Sequence, residues 1–146
     1  SAKTFGAGDV VDFTATDPVA GVRELTGGLG VDECFECSGA PGTFNQAVRM
    51  VRRGGVVTLL GVATDDVMEP LPFKYVTHNE ITIHGSRANP NVSWKVLSLI
   101  SRGNIAVRDM VTHTYPLEKF AEGLDTFVRR RDNVMKVVFL PNGEDA

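Results

Sequence analysis

The 146-residue sequence contains only two cysteines, one tryptophan and three histidines. Two cysteines are too few for a disulfide framework, and a reducing compartment suits them. No apolar run approaches the roughly 20 residues that a membrane-spanning helix needs, and no charged-then-apolar leader opens the chain. These absences predict a soluble, cytoplasmic protein that has no membrane partner.

Positive charge is also scarce. The chain has 15 Lys and Arg residues against 18 Asp and Glu residues, which gives a formal net charge of −3 at pH 7. Affinity for nucleic acid depends on clustered cations that neutralise phosphates, so this balance argues against a nucleic-acid partner. The one basic run, residues 128–133, lies where an apparent helix ends, and the helix dipole favours cations there. We therefore interpret this run as a solvated helix end.

The first residues, "SAKTFGAGD", lack an initiator methionine. Their pattern is typical of the last turn of a helix that Gly6 closes, yet no residues precede them to begin that helix. We therefore expect the chain to be part of a longer protein.

Apolar, β-branched segments alternate with amphipathic ones along the chain, a pattern typical of parallel strands joined by crossover helices. The predicted strands are residues 9–13, 31–39, 56–62, 80–85 and 134–140. The predicted helices are residues 17–28, 41–55, 92–104 and 116–130. The expected fold class is α/β, with a doubly wound parallel sheet.

Three glycines, Gly39, Gly61 and Gly85, each lie at the carboxyl end of a predicted strand. In open parallel sheets, ligands bind in the crevice beyond these ends, where glycine lets a ligand approach the backbone. The alternative is that glycine only permits a tight exit from the strand. The denser run "TGGLGVD", residues 26–32, has the order helix, loop, strand. A phosphate-binding loop follows a strand and begins a helix, so we interpret this run as a helix cap and turn.

Cys34 and Cys37 form a Cys-x-x-Cys pair inside a predicted strand. Residues three apart on a strand point to opposite faces, so the two thiols are not expected to converge on a metal ion. A zinc site would need two further ligands, and His78, His84 and His113 lack ligand-like spacing. We expect no metal site in this chain. Cys34 is predicted to be a small core residue, and Cys37 to line the crevice.

The ordered motifs "AKTFGAGDVVDF", "ECSG", "LLGV", "IHGS", "VTHTYPLEKFAEGLDTF" and "MKVVF" resemble the C-terminal part of zinc-dependent medium-chain alcohol dehydrogenases, in particular the sorbitol and threonine dehydrogenase branch. The resemblance implies that residues 1–87 are the second half of an NAD(P)-binding Rossmann domain. Residues 88–146 would be the returning C-terminal segment of the catalytic domain. Members of this family transfer hydride between an alcohol carbon and nicotinamide, with zinc as a Lewis acid. The resemblance thus implies a secondary alcohol or polyol as substrate and NAD or NADP as cofactor.

The same resemblance implies which residues contact the cofactor. Cys37, Ser38 and Gly39 would border the adenosine and its ribose. Gly61 and Val62 would border the nicotinamide side. These assignments follow from position within the motifs "ECSG" and "LLGV".

Further contacts are implied near the ends of two later strands. Gly85 and Ser86 would lie near the carboxamide, and Lys136 would contact the pyrophosphate. The alternative for Lys136 is an outward lysine on an edge strand. Arg87 is a candidate substrate contact, although "GSRANPNVSW" is spaced differently from the usual family pattern.

Several parts of the family's site have no counterpart in residues 1–146. By the resemblance, the Gly-x-Gly-x-x-Gly turn, the residue that selects NAD or NADP, the catalytic zinc ligands and the structural-zinc cysteines would all precede Ser1. We therefore expect no catalytic residue and no metal ligand here, and no activity of the isolated chain. The first Rossmann strand would lie beside residues 31–39, so that strand is expected to have an open edge. We expect a homo-oligomer formed through sheet edges, a rearrangement, or a fragment left by proteolysis of a longer protein. The resemblance implies that residues 80–85 would pair with their twin across a two-fold axis.

Two alternative functions stay open at this point. One is a zinc-independent quinone or enoyl reductase of the same superfamily, which the sequence before Ser1 would distinguish by its metal-ligand motifs. The other is a non-catalytic module for nucleotide binding or oligomerisation, which tight NADH binding by this chain alone would support.

Overall fold

The computed structural model describes residues 2–64, 66–87, 91–105 and 107–143. The chain divides into two compact units, Ser1–Pro90 and Asn91–Ala146. That the units correspond to cofactor and catalytic segments stays a prediction. Within the described residues, no helix combines the length and the apolar character needed to cross a membrane.

The described part of the first unit contains a parallel sheet with helices between its strands. The elements are α1 (Pro18–Leu25), β1 (Val31–Glu36), α2 (Thr43–Met50), β2 (Val51–Leu59), α3 (Phe73–His78) and β3 (Thr82–Gly85), preceded by a 3-10 turn, Ala2–Phe5. The strand order is β1-β2-β3, with parallel pairing throughout. The predicted α/β class with a parallel sheet is therefore confirmed. Among the described residues β1 is an edge strand.

The core of the first unit lies between α2 and the sheet. Ala47 and Val48 of α2 pack with Val51 and Val57 of β2, and each of the four residues is at most 2% exposed. Burying one valine side chain stabilises the folded state by roughly 1.5–3 kcal/mol. This packing fixes α2 against the sheet and thereby fixes the loop that joins β1 to α2.

The first helix begins and ends at sequence signals. The Asp17 carboxylate accepts a hydrogen bond from the Ala20 N–H at 2.8 Å, and Pro18 occupies the first turn. At the other end, Gly30 has a φ of +92°, and a Cβ there would lie 2.6 Å from the Met50 carbonyl oxygen. The interpretation of residues 26–32 as a helix cap and turn is confirmed.

Arg23 of α1 connects several parts of the first unit through its guanidinium. Its nitrogens donate to the carbonyl oxygens of Gly28 at 3.0 Å, Leu29 at 2.7 Å, Arg49 at 2.8 Å and Val51 at 3.1 Å, and to the Tyr75 hydroxyl at 3.2 Å. The Arg49 carbonyl lies at the C-terminal end of α2, where a cation is favoured by the helix dipole. One side chain thus satisfies backbone acceptors from the glycine turn, α2 and β2.

Two sequence predictions for this unit are wrong in part. Residues 9–13 form no strand, because no described strand lies beside them to complete a ladder. The helix predicted for residues 41–55 ends at Met50, and β2 already begins at Val51, which pairs with Val31. The register shifts between Val51 and Val56, a stretch that contains Gly54, whose φ is +69°. Gly54 therefore forms a bulge in the strand and does not close the helix.

The second unit contains a two-stranded parallel sheet and helices. Its elements are α4 (Ser93–Ser101), β4 (Val111–Pro116), α5 (Phe120–Val128) and β5 (Lys136–Leu140), with 3-10 turns at Arg108–Met110, Leu117–Lys119 and Arg131–Asn133. Helix α5 packs on the sheet: the Phe120 and Phe139 rings lie 4.9 Å apart, and the Tyr115 hydroxyl lies 3.1 Å from Thr126 Oγ1. Asp125 forms ion pairs with Arg129 at 2.6 Å and with Arg131 at 3.1 Å. The basic run is therefore a helix end, as predicted.

Two elements are absent from the sequence prediction. Helix α3 follows Pro72, which is its N-cap. The prolines in this stretch are typical of a loop, so the sequence did not predict a helix there. Strand β4 has half-buried His113 and Tyr115 at alternate positions, but its threonines and proline obscure the apolar alternation. Both elements are short, and packing stabilises them more than their own sequence does.

Candidate functional site

The backbones that leave β1 and β2 approach each other closely at two glycines. A Cβ on Gly61 would collide with the Gly39 nitrogen and with Glu36 Oε2. A Cβ on Gly39, whose φ is +64°, would lie 2.6 Å from the Val62 carbonyl carbon. Both positions therefore require glycine, for contact distance at Gly61 and for contact and backbone conformation at Gly39. The two strand ends at Gly39 and Gly61 form the floor of the candidate site. We call this site the glycine crevice.

Glu36, the last residue of β1, holds the loop that forms one side of the glycine crevice. It is only 8% exposed. Its Oε1 accepts hydrogen bonds from the Ser38 N–H at 2.8 Å, the Ser38 hydroxyl at 2.7 Å, the Gly39 N–H at 2.9 Å and the Thr43 hydroxyl at 3.0 Å. Its main-chain carbonyl accepts from the N–H groups of Leu60 and Gly61, both at 2.8 Å. One residue therefore joins the exits of both strands.

Burial by itself would raise the pKa of the Glu36 carboxyl, but the hydrogen bonds from Ser38, Gly39 and Thr43 outweigh it and lower the pKa below the ordinary value of 4.5. The carboxylate is consequently ionised at neutral pH. A group whose pKa is lower in the folded than in the unfolded state stabilises the fold above its unfolded pKa. That contribution is lost as the pH falls through the folded value.

Replacing Glu36 by glutamine is expected to reduce the acid sensitivity of the fold. At neutral pH the variant should be less stable by about 1–3 kcal/mol, because the amide offers fewer acceptors to the loop N–H groups. Below about pH 4 the difference should shrink, since the native carboxylate becomes protonated. Urea unfolding across pH 3–7 measures both effects, with Glu33→Gln as a control at an exposed position of β1. Equal pH dependence in native and Glu36→Gln proteins would contradict this account.

Glu69 supplies a second carboxylate beside the same loop. Its Oε1 accepts from the Gly42 N–H at 2.6 Å, and its Oε2 accepts from Asn45 Nδ2 at 2.8 Å. A cleft of about 250 Å³ lies beside Glu36 and Glu69. It is lined by Glu36, Gly39, Ala40, Thr43, Phe44, Leu59, Gly61, Ala63, Val67 and Glu69. The two glutamates are the charged side chains in this set.

A larger and more apolar cleft of about 640 Å³ adjoins the same loop from the side of α1. Its lining residues are Val11, Phe13, Pro18, Val22, Ser38, Ala40, Pro41, Thr43, Gln46 and Met50. Ser38, Ala40 and Pro41 belong to the loop after β1, so the loop separates two cavities. A mostly apolar lining with a few polar groups is typical of small-molecule sites.

The structure brings together part of the predicted cofactor set. Ser38, Gly39 and Gly61 lie at the glycine crevice. Val62 follows them and is 91% exposed. Cys37 is exposed, and its thiol lies 3.7 Å from the Phe35 carbonyl oxygen.

The remaining predicted residues lie at other places in the two units. Gly85 is the last residue of β3, and the Ser86 N–H donates to the Leu59 carbonyl at 2.9 Å, which holds this exit beside β2. Arg87 is exposed. Lys136 is exposed at the start of β5 in the second unit, so its contact with a cofactor stays a prediction.

The two cysteines are free thiols in this structure. Cys34 is half-buried and packs against the core, as predicted. Its pKa is raised, first by burial and then by the neighbouring Cys37 and Glu36. In the described ranges, no group of three or more His, Cys, Asp or Glu side chains is arranged to hold a metal ion.

Sequence reasoning did not find Glu36 and Glu69 as site residues. The sequence feature that could have identified Glu36 as a site residue is a carboxylate at the end of an apolar strand. Glu69 bonds to residues 24 and 27 positions earlier in the chain, and no local pattern predicts such a contact.

Comparison with known proteins identifies the family. Residues 1–102 match the family model described as zinc-binding dehydrogenase. The chain belongs to this family. The zinc-binding dehydrogenase chain is 31% identical over 143 residues to an alcohol dehydrogenase of Cupriavidus necator, covering 97% of this chain and 39% of that protein. It is 27% identical over 142 residues to the sorbitol dehydrogenase of Bacillus subtilis, covering 97% and 40% respectively.

A solved structure shares the fold of this zinc-binding dehydrogenase chain. A zinc-binding dehydrogenase from Sinorhizobium meliloti, determined bound to NADP, superposes with a TM-score of 0.83 at 27% identity, covering 96% of this chain and 41% of that one. L-threonine 3-dehydrogenases are also among the relatives, so the resemblance to this group of dehydrogenases is confirmed. The chain spans about 40% of the length of the curated relatives that it matches.

Proposed function

We propose that this chain forms part of the cofactor-binding wall of an oxidoreductase that transfers hydride between a secondary alcohol or polyol and NAD or NADP. The observation that carries the proposal is the close approach of Gly39 and Gly61 at the carboxyl ends of two neighbouring parallel strands. Ligands of open parallel sheets bind at such ends. Family membership and the NADP-bound relative support a nucleotide cofactor.

The chain's own residues have a positioning role in this proposal. Glu36 holds the loop after β1 against the exit of β2, and the two glycines leave the crevice floor without side chains. Ser38 and Phe13 line the apolar cleft, where the Ser38 hydroxyl oxygen, whose proton is donated to Glu36, would accept from a ribose hydroxyl and the Phe13 ring would pack on a base. When bound, the nicotinamide supplies the hydride acceptor.

We propose that zinc serves as the Lewis acid in the complete enzyme, as the family name suggests. The described residues hold no cluster fit to bind it, so its ligands would come from another part of that protein. No step of the reaction is therefore assigned to a metal-binding residue of this chain. A zinc-independent reductase of the same superfamily is the alternative, and dependence on zinc separates the two.

The isolated chain is expected to show no oxidation of sorbitol or threonine above background with NAD and zinc, because the zinc ligands of this proposal lie outside the described residues. Joining it to the preceding part of the Bacillus subtilis sorbitol dehydrogenase is expected to give NAD-linked oxidation that a chelator abolishes. NADH formation at 340 nm measures both. The same fusion with Gly61→Trp, which fills the crevice, is the control and should be inactive. Turnover by the isolated chain, or a folded fusion that binds no NADH, would contradict the proposal.

A further inference from the structure

A further cavity, of about 480 Å³, lies at the amino ends of the strands in the first unit. Its lining, which we call the basic cavity, includes Arg49, Phe73, Lys74, Tyr75, His78 and Asn79. Arg49 lies in the last turn of α2, just before β2 begins, and Asn79 follows α3, just before β3 begins. Because β2 and β3 are parallel, these positions lie at the sheet edge opposite to the glycine crevice. The basic cavity shares no lining residue with the two clefts beside the loop after β1.

Positive charge is concentrated in the basic cavity, although the whole chain has a formal net charge of −3. Arg49 and Lys74 supply two cations, and His78 supplies a third when it is protonated. The described lining residues include no carboxylate. Within the part of the chain that the structure describes, none of the ion pairs involves these three side chains. Cations that share a cavity without a counter-charge repel one another, and a bound anion relieves that repulsion.

The helix dipole explains only some of these cations. A cation is favoured near the C-terminal end of a helix, which accounts for Arg49 in α2 and His78 in α3. Lys74 lies in the first turn of α3, where the dipole disfavours a cation. Its place in the same cavity as Arg49 and His78 therefore indicates an anionic ligand and not the stability of α3.

The Arg49 guanidinium is held by an aromatic ring. Its Cζ lies 5.2 Å from the centre of the Tyr75 ring, within the range of a cation–π contact. The Tyr75 hydroxyl in turn accepts a hydrogen bond from Arg23 at 3.2 Å, which fixes the ring. Stacking leaves the edge of the guanidinium, with its N–H groups, available to a ligand. Arginine binds phosphate through two parallel hydrogen bonds from this edge.

Phe73 adds an apolar surface to the same cavity. The residue is 70% exposed, so a flat ring packed on it would remove apolar area from water. The volume of about 480 Å³ falls within the range of small-molecule sites, roughly 300–1,000 Å³. The lining thus matches a ligand that has an anionic group at one end and a flat ring at the other.

We propose that the basic cavity is a binding site for a small phosphate monoester that carries a flat ring. Arg49 and Lys74 bind the phosphate, and the ring packs on Phe73. The site is separate from the glycine crevice and does not depend on the proposed function. Because Arg49 belongs to α2 and the other two residues to α3, the bound ligand connects the two helices and stabilises the first unit.

The first test is a titration of the isotopically labelled chain with phenyl phosphate at constant ionic strength, followed by amide chemical shifts. Phenol and inorganic phosphate, which each represent one half of the probe, are the matched ligands. Phenyl phosphate should shift the amides of Tyr75, His78 and Asn79, and half-saturate them at a concentration at least about tenfold lower than either half does.

Three results of this titration would overturn the inference. The first is an affinity for inorganic phosphate equal to that for phenyl phosphate. The second is no shift at the amides of the basic cavity. The third is a response of Gly39 and Gly61 at lower phenyl phosphate concentration, which would assign the ligand to the glycine crevice.

The second test removes single cations. Arg49→Gln and Lys74→Gln should each weaken phenyl phosphate binding by about tenfold. Arg53→Gln is the matched control, because Arg53 is an exposed arginine of β2 that lies outside the lining and pairs with Glu80. It should bind within about twofold of the native chain.

An equal loss in Arg53→Gln would mean general attraction of the anion to surface cations, and would overturn the inference. Lys74 is exposed, so Lys74→Gln is expected to fold even if Arg49→Gln does not. A folded Lys74→Gln that binds phenyl phosphate as tightly as the native chain would likewise contradict the proposal.

Discussion

The Gly61→Ala variant is expected to be less stable than the native chain by about 3 kcal/mol, because its methyl group cannot be accommodated. The new Cβ would collide with the backbone nitrogen of Gly39 and with the buried carboxylate of Glu36. The Gly39 nitrogen belongs to the backbone, and the Glu36 carboxylate is held by its hydrogen bonds to Ser38 and Gly39, so the loop itself must move. The free energy of unfolding in urea measures the effect, and any affinity for NADH should fall with it.

Gly85→Ala is the matched control for Gly61→Ala. Gly85 also lies at the carboxyl end of a strand, but a Cβ there would have no atom within 4 Å. Its substitution is therefore expected to change stability by less than about 0.5 kcal/mol. If the two substitutions lowered stability equally, the close approach of the Gly61 and Gly39 backbones would not be the reason that Gly61 must be glycine.

The Arg23→Lys variant is expected to lose about 2–3 kcal/mol of stability, although it keeps the positive charge. An ammonium group cannot reproduce the planar fork that donates at once to carbonyls of the glycine turn, α2 and β2. The Val51 carbonyl, the partly buried acceptor among them, would then lack a donor. Urea unfolding measures the loss.

Arg53→Lys provides the control for this prediction. Arg53 is exposed and forms an ion pair with Glu80 at 3.4 Å, an arrangement that contributes little to stability. A change within about 0.5 kcal/mol is expected for Arg53→Lys. If Arg23→Lys also changed stability by less than about 0.5 kcal/mol, the hydrogen bonds of the Arg23 guanidinium would not be what holds the glycine turn, α2 and β2 together.

The sequence was sufficient to predict elements whose signals are local. Strands β1, β2 and β5 and the capped helix α1 overlap the segments where periodicity, glycine and proline placed them, although β1 already ends at Glu36 and β2 runs from Val51 to Leu59. The positions of Gly39 and Gly61 at strand ends followed from the same runs. These features depend on neighbours within one segment of chain.

Errors arose where distant contacts decide the structure. Val51 to Gly55 continue a helical pattern in sequence, yet pairing with β1 extends them into β2. Residues 9–13 have strand composition, but composition without a neighbouring strand does not form a ladder. Glu69 became a site residue only through a contact with Gly42, 27 positions away. Such contacts belong to the folded chain and leave no periodic signal.

The most direct test of the central claim is to map NADH binding on the isolated, isotopically labelled chain by amide chemical shifts. Weak binding is expected, with a dissociation constant of about 1 mM. The largest shifts should occur at Gly39, Gly61 and Val62, while Gly103 of the second unit, as a reference glycine, should not respond. Shifts that spare the glycine crevice and concentrate elsewhere, or no shift at all at several times about 1 mM NADH, would contradict the claim that this crevice faces the cofactor.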